Sequence, residues 1–123
     1  MSGEFIATKY SGKHLILDLF DVDPKFLCSV NEIKKCLKKA ATSAKATVLK
    51  DAFHHFGKDH GVTGIIVLSE SHISIHTWPE ERYAAIDIFM CGVCNPEDSI
   101  EEINNYFKPG NLSKNVLYRG IIA

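Results

Sequence analysis

Apolar and polar positions alternate over residues 14–20, which sets Leu15, Leu17 and Leu19 on one face of a strand and His14, Ile16, Asp18 and Phe20 on the other. Asp21-Val22-Asp23-Pro24 ends that run. The period then lengthens: Val30, Ile33, Leu37 and Ala40 recur at helical spacing, while Lys34, Lys35, Lys38 and Lys39 fill the opposite side. Ser29 followed by Glu32 is a capping box, so a helix is predicted over 30–43 with its lysines as the solvated face. Further strands are predicted over 47–56, 62–68, 72–78 and 83–90. The run 62–68 is apolar on both faces and is expected at the centre of a sheet, and Pro79-Glu80-Glu81-Arg82 turns the next two strands into a hairpin. Asn95-Pro96-Glu97-Asp98 supplies an N-cap, an early proline and first-turn acids for a second helix marked by Ile100, Ile103 and Phe107. Lys108-Pro109-Gly110 stops it, and a last strand covers 115–121. Helices gathered on one side of a mainly antiparallel sheet make an α+β two-layer sandwich.

A chain of 123 residues forms one domain, 1–123, with little room for a second core, so an elaborate site needs residues from another subunit. A formal net charge of -1 withholds the basic footprint that nucleic acid requires, and no nucleic-acid partner is expected. Met1-Ser2-Gly3-Glu4-Phe5 has neither a basic leader region nor a following apolar one. No run approaches the roughly 18 apolar residues of a membrane span, so no membrane partner and a cytoplasmic location are expected. In that setting Cys28, Cys36, Cys91 and Cys94 read as thiols. Cys91-Gly92-Val93-Cys94 has CxxC spacing, but a structural zinc site would show a second spaced pair and a thioredoxin-like motif would sit in a βαβ unit. No metal is assigned.

Chemistry concentrates in residues 68–80, Leu68-Ser69-Glu70-Ser71-His72-Ile73-Ser74-Ile75-His76-Thr77-Trp78-Pro79-Glu80, with three serines, two histidines and two carboxylates. Such groups lose hydration beside a core, and their concentration points to a site where chemistry offsets that cost. Period two sets His72, Ser74, His76 and Trp78 on one face and Ile73, Ile75 and Thr77 on the other. A serine hydrolase would need Ser71 activated by His76, yet there is no GxSxG turn, and five residues along one strand span about 16 Å. Pairing them takes a bend, or a histidine arriving from another subunit. The residues by themselves also fit a polar sheet face without chemistry.

The run Glu70 to Glu80, preceded by Gly61-Val62-Thr63-Gly64 and followed by Tyr83-Ala84-Ala85-Ile86-Asp87-Ile88-Phe89-Met90-Cys91-Gly92, resembles the prokaryotic S-adenosylmethionine decarboxylase proenzyme family. The likeness extends to Gly12-Lys13-His14 and Asp51-Ala52-Phe53-His54-His55-Phe56, nearly the whole chain. It implies self-cleavage between Glu70 and Ser71 into a β chain, 1–70, and an α chain, 71–123, with Ser71 converted into a covalent pyruvoyl cofactor. It also implies that His76 is the processing base, that Thr63 supports processing, and that Cys91 returns a proton to the substrate carbon. In the family the pyruvoyl ketone condenses with the substrate amine as a Schiff base and takes up the electrons released with carbon dioxide. Glu80 aligns with a carboxylate that binds ribose hydroxyls, Phe53 or Phe56 could stack on adenine or face the sulfonium, and Cys94 matches no family role and reads as packing.

The same resemblance implies a homodimer of processed protomers, two α and two β chains, pairing as an αββα sandwich with sites shared between subunits. The expected substrate is S-adenosyl-L-methionine, whose decarboxylated product serves spermidine biosynthesis. Two other readings stand beside it. One is a pyruvoyl decarboxylase of arginine or ornithine on the same fold, which the retained Glu80 and phenylalanines disfavour. The other is a non-catalytic module holding a metal through Cys91, Cys94 and a histidine.

Overall fold

Leu15, Leu17 and Leu19 are fully buried on one face of strand β1 (Ile6–Phe20), as their alternation requires. The computed structural model describes residues 6–122, and the leader reading made on residues 1–5 lies outside the described residues. Helix α1 (Val30–Ser43) begins where the capping box placed it: the Ser29 side chain accepts from the Glu32 N–H at 3.3 Å. Its inward stripe of Ile33, Cys36, Leu37, Ala40 and Ala41 is buried, and burial pushes the Cys36 thiol up to about 12. On its solvated side, Lys34 and Lys38 reach Asp51 at 3.3 and 2.9 Å, and these bonds, Lys38 foremost, hold the Asp51 carboxyl below its usual range.

Strands β2 (Val48–His55), β3 (Val62–Leu68), β4 (Ser71–Trp78), β5 (Tyr83–Cys91) and β6 (Asn111–Ile122) join β1 in one sheet. The order is β2-β3-β4-β5-β1-β6, and every neighbouring pair is antiparallel. β1 starts earlier and β6 runs longer than the sequence pattern predicts. Their outer parts pair with each other at the sheet edge, across an irregularity between Ala7 and Gly12, where hydrophobic alternation gives no signal. A 3-10 turn, Pro96–Ser99, capped by Asn95, precedes α2 (Ile100–Phe107), which buries Ile103 and Phe107. The Cys36 thiol donates to the Glu102 carbonyl at 3.6 Å and ties the helices together.

Both helices lie on one face of the sheet, over Ile66, Ile73, Ile75, Ile86 and Ile88. Among the described residues no layer covers the other face. There Ile65 and Val67 are 37% and 38% exposed, which corrects the expectation for β3. Apolar residues on both its faces do not make it the central strand: β4 and β5 hold the middle, and β3 contributes Ile65 and Val67 to the uncovered face. Buried Thr77 anchors the far end of β4, donating to the Leu27 carbonyl at 2.7 Å and accepting from the Val62 N–H at 2.8 Å.

Candidate active site

Leu68 and Ser71 are register partners, so Ser69 and Glu70 alone make the turn between β3 and β4. Two-residue hairpins favour a left-handed conformation at both central residues or at the first, because that matches strand twist. Here only Glu70, the second, has positive φ, at 59°. For a residue with a Cβ this conformation costs on the order of 1–2 kcal/mol, and the strain sits on the residue whose carbonyl precedes Ser71. The last residue of β5 meets the same peptide. The Cys91 thiol donates to the Glu70 carbonyl oxygen at 3.4 Å and lies 3.8 Å from its carboxylate. Gly12 is the register partner of Cys91, and a side chain there would stand 2.6 Å from the Met90 carbonyl, so glycine lets β1 close on this corner.

A second cluster occupies the opposite end of the same hairpin. Thr63 and His76 are register partners, with Thr63 Oγ1 and His76 Nδ1 3.0 Å apart. Around them Phe56, His60, Gly61, Trp78 and Glu80 line a hollow. Phe56 is 60% and Trp78 40% exposed, leaving two aromatic surfaces and a carboxylate open to a ligand. Gly61 is required where it stands, since a Cβ would lie 2.2 Å from the Thr77 carbonyl. Trp78 is further stacked on Tyr83, and Tyr83 on Phe20. The Tyr83 hydroxyl donates to Asp18, a bond that pushes its own pKa up to about 12.

The two phenylalanines separate. Phe53 pairs with Gly64 on the helix-covered face, where its ring fills the place of the missing side chain and lies 5.4 Å from Lys34 Nζ. It is a packing residue there, and Phe56 alone of the two reaches the hollow. Nor does one protomer bring Ser71 to His76. They lie at opposite ends of β4, about 16 Å apart by strand rise, and alternation turns them to opposite faces. Between the clusters His14, His72 and Phe89 share the uncovered face, with the His14 and His72 ring centroids 6.4 Å apart. Burial first, and His14 second, hold the His72 pKa below its usual value. His14 Nε2 is buried without a hydrogen bond, 3.8 Å from the Asp87 carboxylate.

Cys94 packs against the core, its thiol donating to the Lys45 carbonyl at 3.3 Å. Among the described residues no three His, Cys, Asp or Glu side chains gather as a metal would require. Two features of the site escape a reading of the sequence. Trp78 shares the face of His76 by period two, and that was its available signal. The strained Ser69-Glu70 turn carries no glycine or asparagine to announce it.

The family model for S-adenosylmethionine decarboxylase matches residues 13–120. The S-adenosylmethionine decarboxylase proenzyme of Methanococcus aeolicus is 47% identical over 113 residues, covering 91% of this chain and 96% of that protein. The proenzyme of Acidithiobacillus ferrooxidans is 36% identical over 110 residues, covering 89% and 82%. Among solved structures, the adenosylmethionine decarboxylase of Aquifex aeolicus superposes with a TM-score of 0.83 at 33% identity, covering 94% of this chain and 96% of its own.

Proposed function

The chain belongs to the S-adenosylmethionine decarboxylase family, and we propose that it cuts itself between Glu70 and Ser71 and then releases carbon dioxide from S-adenosylmethionine. The decarboxylated product is the aminopropyl donor for spermidine. The observation that carries this reading is the Cys91 thiol hydrogen-bonded to the carbonyl of the strained residue before Ser71.

In the cut, Ser71 Oγ attacks the Glu70 carbonyl carbon, the C–N bond breaks, and an ester forms. The left-handed Glu70 raises the energy of the intact peptide relative to that ester. Removal of the Ser71 Cα proton then expels the Glu70 carboxylate, leaving dehydroalanine, which takes up water and loses ammonia to end as a pyruvoyl group. His76 is the base: its Nδ1–H donates to Thr63 Oγ1, which leaves the Nε2 lone pair to take the Ser71 Cα proton. Conversion at position 71 fits the site, since Ser71 is half-buried at the strand start with a proton-bearing thiol at the adjoining carbonyl. The pyruvoyl ketone supplies an electron sink for the pair released with carbon dioxide. Cys91 then returns a proton to the substrate carbon.

The separation of the half-sites implies two subunits. A second copy laid against the uncovered face would bury Ile65, Val67 and Leu117 and form an αββα dimer of two α and two β chains. A two-fold axis in that arrangement brings Thr63, His76 and the aromatic hollow of one protomer to Ser71 and Cys91 of the other. In the hollow, Glu80 accepts from the ribose cis-diol, while Phe56 and Trp78 offer faces to the adenine and the sulfonium. Arginine or ornithine would leave that surface without use. Carbon dioxide release from carboxyl-labelled substrates tests the reading: S-adenosylmethionine is turned over and arginine and ornithine are not. Release from either amino acid in place of S-adenosylmethionine would overturn it.

A further inference from the structure

Cys94 has no part in the chemistry above, yet it stands three residues beyond Cys91 on a tight turn. The Cys94 N–H donates to the Cys91 carbonyl at 3.4 Å, Gly92 adopts φ 67°, and Val93 is 87% exposed. Such a turn holds its first and fourth Cα atoms within about 7 Å, and a disulfide joins Cα atoms about 4.4–6.8 Å apart. The backbone thus already meets the distance requirement. The thiols are turned to different carbonyls, Cys91 to Glu70 at 3.4 Å and Cys94 to Lys45 at 3.3 Å. Each makes only weak S–H···O bonds, so little holds either thiol in its present rotamer. A side chain added at Gly92 would meet nothing within 4 Å, which leaves the turn open to a reagent. Cys36, by contrast, is sealed between the helices, and Cys28 is bonded to the Pro24 carbonyl on the loop before α1.

We propose that Cys91 and Cys94 form a reversible disulfide that removes the proton-donating thiol from the active site. The bond rests on turn geometry alone; its effect on turnover rests on the Cys91 role proposed above. A low-molecular-weight disulfide is the oxidant. One cysteine thiolate attacks it and releases one thiol, forming a mixed disulfide. The second thiolate attacks the protein sulfur and releases the other thiol. Two protein thiols are oxidised, one small disulfide is reduced to two thiols, and a reducing dithiol reverses the exchange.

The test incubates processed protein with oxidised glutathione, follows decarboxylation, and maps the cysteines by mass after alkylation. The expected result is a Cys91–Cys94 linked peptide lighter by two hydrogens, with activity falling roughly tenfold or more as it accumulates and returning with dithiothreitol. Cys94→Ser should keep its starting activity and stop at the glutathione adduct on Cys91. A wild-type protein that keeps both thiols alkylatable, or that stops at the adduct, would overturn the proposal without reference to any variant. A fully formed bond with unchanged decarboxylation would overturn the switch and the Cys91 role together, while the activity measured before oxidation would still stand for the substrate assignment.

Discussion

At the scale of single residues, Glu70 and Cys91 meet at the candidate site. One is held in a backbone conformation that its side chain disfavours, and the other donates a hydrogen bond to its carbonyl. Their roles separate under mutation. Cys91→Ala leaves Ser71 and its preceding carbonyl in place, so the chain should still divide into two fragments while decarboxylation falls by about 10²-fold or more, the usual loss for a missing acid–base group. Gel analysis beside a carbon dioxide assay checks it, and equal loss of cleavage and turnover would place Cys91 in processing instead. Ser71, His76, Thr63, Cys91 and Glu80 are candidates through the family resemblance of the runs that hold them, and the structure sets Thr63 beside His76 and Cys91 beside the Glu70 carbonyl. The choice between Phe53 and Phe56 could not be read from the sequence, because it depends on a register: pairing of Phe53 with Gly64 turns that ring under α1.

Elements were legible where local chemistry alone decides them. Ser29 and Glu32 cap α1 where the pattern placed it, and β3 spans the predicted run 62–68. The outer halves of β1 and β6 were not legible, since their partners are each other's backbones at an edge and no apolar alternation is needed there. The glycine beneath Phe53 shows how packing constrains a residue inside a strand. Gly64→Ala would place a methyl 2.1 Å from the Phe53 ring, which must swing away, and overpacking of this kind costs about 1–3 kcal/mol. The urea midpoint of unprocessed Ser71→Ala protein should fall accordingly when Gly64→Ala is added. Ser29→Ala on the same background should cost about 1 kcal/mol through the lost cap.

At the scale of the whole molecule, the uncovered face is the surface proposed for pairing and also holds His72. Because burial and His14 depress the folded His72 pKa below 6.5, the unfolded chain binds the extra proton as pH falls below that value. This contribution is complete above 6.5 and is lost as pH falls from there through the folded value; His72→Gln should flatten that limb of a urea-midpoint profile. Asp51 and Glu97, whose lysine partners depress them from 3.8 and 4.5, add a separate loss at lower pH. The distance between Ser71 and His76 along β4 makes the strongest demand for assembly. Neither Ser71→Ala nor His76→Ala should cleave alone. Refolded together, they should form mixed dimers with one complete composite site, in which the His76→Ala chain is cut. No cleavage in the mixture would place the base and its serine in one protomer. The sequence could state that distance but could not show a surface for a partner, because the uncovered face exists only once the strands are ordered.

The intact mass of the purified protein tests the central claim most directly. Self-processing predicts two fragments ending at Glu70 and beginning at position 71, the second lighter by one ammonia than a serine-started peptide and closed to amino-terminal sequencing. A single chain of 13.7 kDa, or a second fragment with a free serine amine, would contradict it.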